Sequence, residues 1–158
     1  MPIIEGALLR CALLVRALLG TSDDILYYDR VSVCAEVVTE ATHQRADAAL
    51  AVAIAWQESR FTHADVNPWN CAGPMQAKVH YWCPNINGEW SATAADGILR
   101  DCDLTAAGVR ALRYYSARTV REYDMLCLYS WGKCDTPQRR RYVRRTQDIA
   151  QRARALGI

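Results

Sequence analysis

The segment from about Asp47 to Ser59, closing on Ala53-Ile54-Ala55-Trp56-Gln57-Glu58-Ser59-Arg60-Phe61, constrains this chain more than any other. Past Asp47 at its start, it reads as an apolar helix that carries a carboxylate only at its end. At about 100° per residue, Glu58 falls about 20° from Ala51 and about 40° from Ile54, so it projects from the apolar stripe rather than a polar one. A carboxyl group there is partly desolvated, and the helix ends near Arg60, where the negative pole of the helix dipole favours the protonated acid. A carboxylic acid kept protonated near neutrality is a proton donor of the kind that glycosidic bond cleavage requires.

At 158 residues the chain is long enough for one domain with a single core, burying roughly 70% of the surface its unfolded form exposes. Ala-rich and aliphatic segments dominate, and alternation with a period of two never persists, so the fold class expected is mainly α. Helices are expected over about 5–19, 23–42, 47–59, 92–101, 104–117 and 119–129. A last helix starts at the Thr136 N-cap with Pro137 in its first turn and turns Tyr142, Thr146, Ile149, Ala150 and Ala153 inward. The stretch 62–75 reads as loop and 76–88 as loop or short hairpin, since Pro84 excludes a central strand. In the first helix Leu8, Leu9, Ala12, Leu13, Val15, Ala17 and Leu19 suggest an amphipathic stripe ended by Gly20, with Thr21 or Ser22 capping the next helix.

The motifs along the chain add a resemblance. Glu58-Ser59-Arg60-Phe61 is followed by Gly73-Pro74-Met75-Gln76, by Leu104 to Leu112 with Gly108 inside, by Tyr129-Ser130-Trp131-Gly132 and by Tyr142-Val143-Arg144-Arg145. Order and spacing resemble the soluble lytic transglycosylase branch of the lysozyme-like fold over roughly residues 26–150. Three positions depart from that pattern. Pro74 stands where the family has Leu and stiffens the loop. Ser130 stands for Asn, removing an amide that lines the sugar groove in relatives, and Trp131 stands for a small residue.

The resemblance implies a lysozyme-like domain over 26–158 with an added N-terminal helical extension over 1–25. It implies cleavage of the β-1,4 bond between N-acetylmuramic acid and N-acetylglucosamine in peptidoglycan. Glu58 would protonate the leaving oxygen, then act as base while the muramic 6-hydroxyl closes a 1,6-anhydro ring. Met75 and Gln76 would line the groove, and Tyr129 would bring a phenol near the acid. Ser59 would bond to the carboxylate or the substrate N-acetyl group, or else help close the helix. A hydrolytic muramidase needs a second carboxylate, for which Asp65, Glu89, Asp96, Asp101 and Asp103 are the candidates, none marked by a motif. A non-catalytic adaptor of a virion or secretion channel is the third reading. Trp69, Trp82 and Trp90 are candidates for stacking on sugars.

Seven cysteines leave at least one thiol unpaired. Cys71 with Cys83, and Cys127 with Cys134, flank the two groove loops and suggest staples, whereas Cys11, Cys34 and Cys102 read as buried free thiols. Cys71, His80, Cys83 and His63 match no zinc module, so neither metal nor cofactor is expected. The formal net charge is +2, yet Arg139, Arg140, Arg141, Arg144, Arg145, Arg152 and Arg154 crowd the last helix. They read as a solvated face, or as a docking surface for the acidic stems and teichoic acids of a wall or for nucleic-acid phosphates. With no nucleic-acid motif, the partners expected are peptidoglycan strands and virion or secretion proteins, the chain itself being a monomer. Arg10 and Arg16 break the first apolar run, so neither a signal peptide nor a membrane span is expected. Delivery from a phage virion, or from a host cytoplasm to the periplasm or wall, is the expected route.

Overall fold

Helix α3 (Ala48–Ser59) lies at the centre of the molecule because its sequence leaves no polar face to turn outward. Every residue from Ala49 to Trp56 is buried in the computed structural model, which describes residues 2–21, 24–83, 98–99 and 102–158. The helix therefore has no one-sided stripe and is covered all round, as a helix apolar on every face must be. Asp47 caps its start, accepting a hydrogen bond from the Leu50 N–H at 2.9 Å.

Two long helices, α2 (Tyr27–His43) and α7 (Pro137–Ala155), pack on α3, and α1 (Pro2–Leu19) packs on α2. α1 places Ala7, Cys11, Leu14 and Val15 in the same core as α3, and the disulfide Cys11–Cys34 ties it to α2. Its buried face is thus turned from the expected one, since Leu8, Leu9 and Leu13 are exposed. α2 begins at Tyr27 rather than residue 23; Ser22 lies outside the described residues. α7 starts as its sequence requires, with the Thr136 hydroxyl accepting from the Arg139 N–H at 3.2 Å and Pro137 in the first turn.

After α3 the chain forms a small antiparallel hairpin, β1 (Cys71–Ala72) against β2 (Ala77–Lys78), running into the short α4 (Val79–Trp82). β3 (Ile98–Leu99) pairs antiparallel with β4 (Cys102–Asp103), with Leu99 opposite Cys102. The helix expected over 92–101 is therefore strand at 98–99; the rest of that expectation, Ile98 and Leu99 apart, lies outside the described residues. α5 (Leu104–Ser116) and α6 (Glu122–Ser130) complete the fold, and a second small core of Ala72, Val79, Leu104 and Ala107 joins α5 to the hairpin. Among the described residues no helix is long and apolar enough to cross a membrane.

The cysteine pairing corrects the reading of the sequence. Cys83 bonds to Cys102, not to Cys71, and Cys11 and Cys34 bond to each other, so the three expected buried thiols are all half-cystines. Of the two staples that the flanking positions suggested, Cys127–Cys134 forms, and Cys71 is the free thiol. Partners brought together by packing, as Cys11 and Cys34 are by two adjacent helices, leave no signature in linear spacing.

Candidate active site

Glu58 sits in the last turn of α3, and the way that helix ends decides where its carboxyl points. Arg60 and Phe61 both take left-handed backbone, with φ of 59° and 56°. The Phe61 N–H bonds back to the Ala55 carbonyl at 3.4 Å, and its buried ring packs on Trp56 with ring centres 5.4 Å apart. This is the hydrogen-bonded reversal with an apolar contact by which many helices close. Ser59 takes part in it: its hydroxyl donates to the Ala55 carbonyl and accepts from the Thr62 N–H, both at 3.1 Å. Ser59 thus works inside the helix end and does not line the groove described next.

Glu58 opens into a groove of about 630 Å³. One wall comes from the hairpin and α4, with Gln76, Lys78, Tyr81 and Trp82; the other comes from the end of α6, with Tyr129, Ser130 and Trp131. Trp69 also lines it and is 74% exposed, and Trp131 is 44% exposed, so large aromatic faces stand open to a ligand. Among the described lining residues Glu58 is the sole carboxylate. Asp103, offered by the sequence as a second acid, caps α5 by accepting from the Ala106 N–H and does not line the groove, and neither does Asp65. Glu89, Asp96, Asp101 and Trp90 lie outside the described residues.

Two phenols converge on the acid. Tyr142, brought in by α7, donates its hydroxyl hydrogen bond to Glu58 Oε1. Tyr129, from α6, donates to the Met75 carbonyl at 2.9 Å. Burial pushes the Glu58 pKa up, and the bond from Tyr142 offsets only part of that rise. Burial and the negative charge of Glu58 together hold both phenols well above the ordinary tyrosine range, so both remain donors. Cys71 also lines the groove, but burial raises its pKa and keeps the thiol protonated, the opposite of an activated nucleophile.

The turn carrying Met75 and Gln76 is fixed by two glycines. Gly73 has φ of +78°, and a side chain there would begin 2.6 Å from Leu104 Cβ. A Cβ on Gly108 of α5 would meet Met75 Cβ at 2.6 Å, so the helix and the turn touch backbone against side chain. Met75 is consequently wholly buried: its thioether packs in the core, and only its carbonyl serves the site, as the acceptor for Tyr129. Gln76 does line the groove, with its amide held by Asn67, which donates to Oε1 at 2.9 Å, and by the Gly73 carbonyl at 3.1 Å.

The structure thus brings together Glu58, Gln76 and Tyr129, leaves Ser59 and Met75 behind the groove wall, and adds Tyr142, which the sequence places on a core-facing stripe and in the last motif but gives no role at the site. Its position within the Tyr142-Val143 motif was the signal that could have marked it. Among the described residues no group of three or more His, Cys, Asp or Glu side chains is placed to hold a metal ion. Comparison with known protein families, with curated proteins and with solved structures found no match to this chain.

Proposed function

We propose that this chain is a peptidoglycan lytic transglycosylase with a lysozyme-like domain, cleaving the β-1,4 bond between N-acetylmuramic acid and N-acetylglucosamine. The observation that carries the reading is Glu58: a single carboxyl with a raised pKa, facing a groove that offers aromatic faces and no second described carboxylate.

The chemistry uses that one group twice. Protonated Glu58 gives its proton to the glycosidic oxygen as the bond from the anomeric carbon breaks, releasing the N-acetylglucosamine hydroxyl. The resulting carboxylate then takes the proton of the muramic 6-hydroxyl as its oxygen bonds to the anomeric carbon, which closes the anhydro ring and restores the acid. Tyr142 suits both stages, because its hydrogen bond occupies one carboxyl oxygen and eases the charge that the second stage needs, leaving the other oxygen to carry the proton. Trp69 and Trp131 offer apolar faces on which sugar rings pack, and Gln76 offers an immobilised amide for their polar substituents. The partners proposed with this activity are glycan strands and the virion or secretion proteins that would deliver the enzyme to a wall.

Purified sacculi incubated with the protein should release soluble muropeptides ending in anhydro sugars, and Glu58→Gln should release none. Release by Glu58→Gln at the parent rate would refute the assignment, and release of reducing ends would make the enzyme a hydrolase. No release by either protein would favour the adaptor.

A further inference from the structure

α7 carries more positive charge than its own fold uses. Arg139 pairs with Asp135 at 2.7 Å, Arg140 donates to the Cys134 and Asp135 carbonyls, and Arg154 bridges Asp47 and Glu122 at 3.0 and 2.9 Å. The other four arginines, Arg141, Arg144, Arg145 and Arg152, are exposed and pair with none of the described residues. On a helical wheel all four fall within an arc of about 100°, extending about 16 Å along the axis. Asp148 is the one acid in that arc, and no large apolar side chain interrupts it, while Val143, Ile149, Ala150 and Ala153 face the core. A helix that keeps its apolar face in the protein and shows four guanidinium groups against one carboxylate is built to meet anions, not to enter a lipid surface.

The centre of this ridge lies about 100° around the helix from Tyr142, the residue that reaches Glu58. One rigid helix therefore holds Tyr142 against the acid of the groove on one side and shows the arginine ridge to solvent on another. We infer that the ridge holds the acidic peptide stems that branch from the glycan, an inference that rests on the wall-polymer reading of the groove. A glycan strand with anionic branches projecting from it satisfies the groove and the ridge at once. The four guanidinium charges complement the stem carboxylates, an attraction of charge that salt screens. Nucleic acid has the charge but no sugar branch of the kind the groove would grip.

The test uses the Glu58→Gln protein, which binds without cutting, in co-sedimentation with sacculi stripped of attached phosphodiester polymers. Replacing all four arginines by Gln should weaken this binding roughly tenfold at low salt, with the difference fading at about 1 M salt. Replacing the four by Lys should retain most of it, and binding to soluble glycan whose stems have been removed should be the same for all three proteins. Equal binding of the Gln and parent proteins to stripped sacculi would overturn the inference, as would Lys and Gln versions that are equally weak. A loss seen only with unstripped sacculi would assign the ridge to phosphodiester polymers, and a loss seen only with duplex DNA would assign it to nucleic acid; either overturns it. If the Glu58→Gln parent binds neither sacculi nor glycan, the groove reading itself fails and the ridge inference falls with it. That result is distinct from a parent that binds and a ridge variant that binds equally.

Discussion

At the scale of single residues, the site turns on two opposed influences on one carboxyl: burial lifts the Glu58 pKa, and the Tyr142 hydroxyl draws part of it back. Because the folded-state pKa lies above that of the unfolded chain, the native state holds the proton more firmly between the two values. Stability therefore falls as pH rises through that window, and each pKa unit corresponds to about 1.4 kcal/mol. Glu58→Gln, which keeps an acceptor for Tyr142, should melt higher than the parent at neutral pH, with the gain vanishing at pH values where Glu58 is protonated in both states. Thermal melts across pH decide it: an equal or lower melting point at neutral pH would mean that Glu58 is not held against its charge. The same substitution should lower turnover by about 10²–10⁴-fold, the usual contribution of a general acid and base. Tyr142→Phe removes the influence that lowers the pKa, so the high-pH limb of the kcat/KM profile should move to higher pH while activity drops roughly tenfold. A limb that stays in place or moves down would show that Tyr142 does not act through Glu58. The acid is legible in the sequence because an ionisable group beside an uninterrupted apolar helix stands out locally. Tyr142 is not, being 84 residues away and brought near only by the packing of α7 on α3. Met75 misleads for a related reason, since a methionine in a loop motif gives no sign that Gly108 of a distant helix will receive it.

At the scale of elements, the contact between α5 and the 73–76 turn positions the groove floor. Gly108→Ala would drive a methyl group to 2.6 Å from Met75 Cβ. That change should destabilise the fold by about 1–3 kcal/mol, the usual cost of overpacking. It should also reduce activity beyond what instability explains, because Met75 carries the carbonyl that holds Tyr129. Denaturant unfolding and assays well below the melting point separate the two effects, and an unchanged stability would mean that the turn is free to move. Helix positions were legible where a cap and an apolar period agreed, as at Thr136-Pro137. They were not legible at 98–99, where two residues of strand pair within a stretch whose composition favours helix. Nor does helical periodicity in α1 reveal its phase, because Leu8, Leu9 and Leu13 satisfy an apolar stripe as well as Ala7, Cys11 and Leu14 do; the disulfide to α2 fixes which side faces in.

At the scale of the whole molecule, three disulfides bind elements that the core alone would hold less firmly. Cys11–Cys34 and Cys83–Cys102 close loops with sequence separations of 23 and 19, each contributing about 3 kcal/mol by chain entropy, whereas Cys127–Cys134 spans only 7. Full reduction should therefore lower stability by several kcal/mol. Cys11→Ser with Cys34→Ser should account for about half of that loss in denaturant titrations; a reduced protein as stable as the oxidised one would contradict the pairing. The central claim joins all three scales: one carboxyl, set in a groove without a second described carboxylate, cuts the glycan without adding water. Digestion of sacculi in water labelled with heavy oxygen tests it most directly. Muropeptides lighter by one water than hydrolysis products and free of label at the new sugar end are the expected products, whereas labelled reducing ends would contradict the claim.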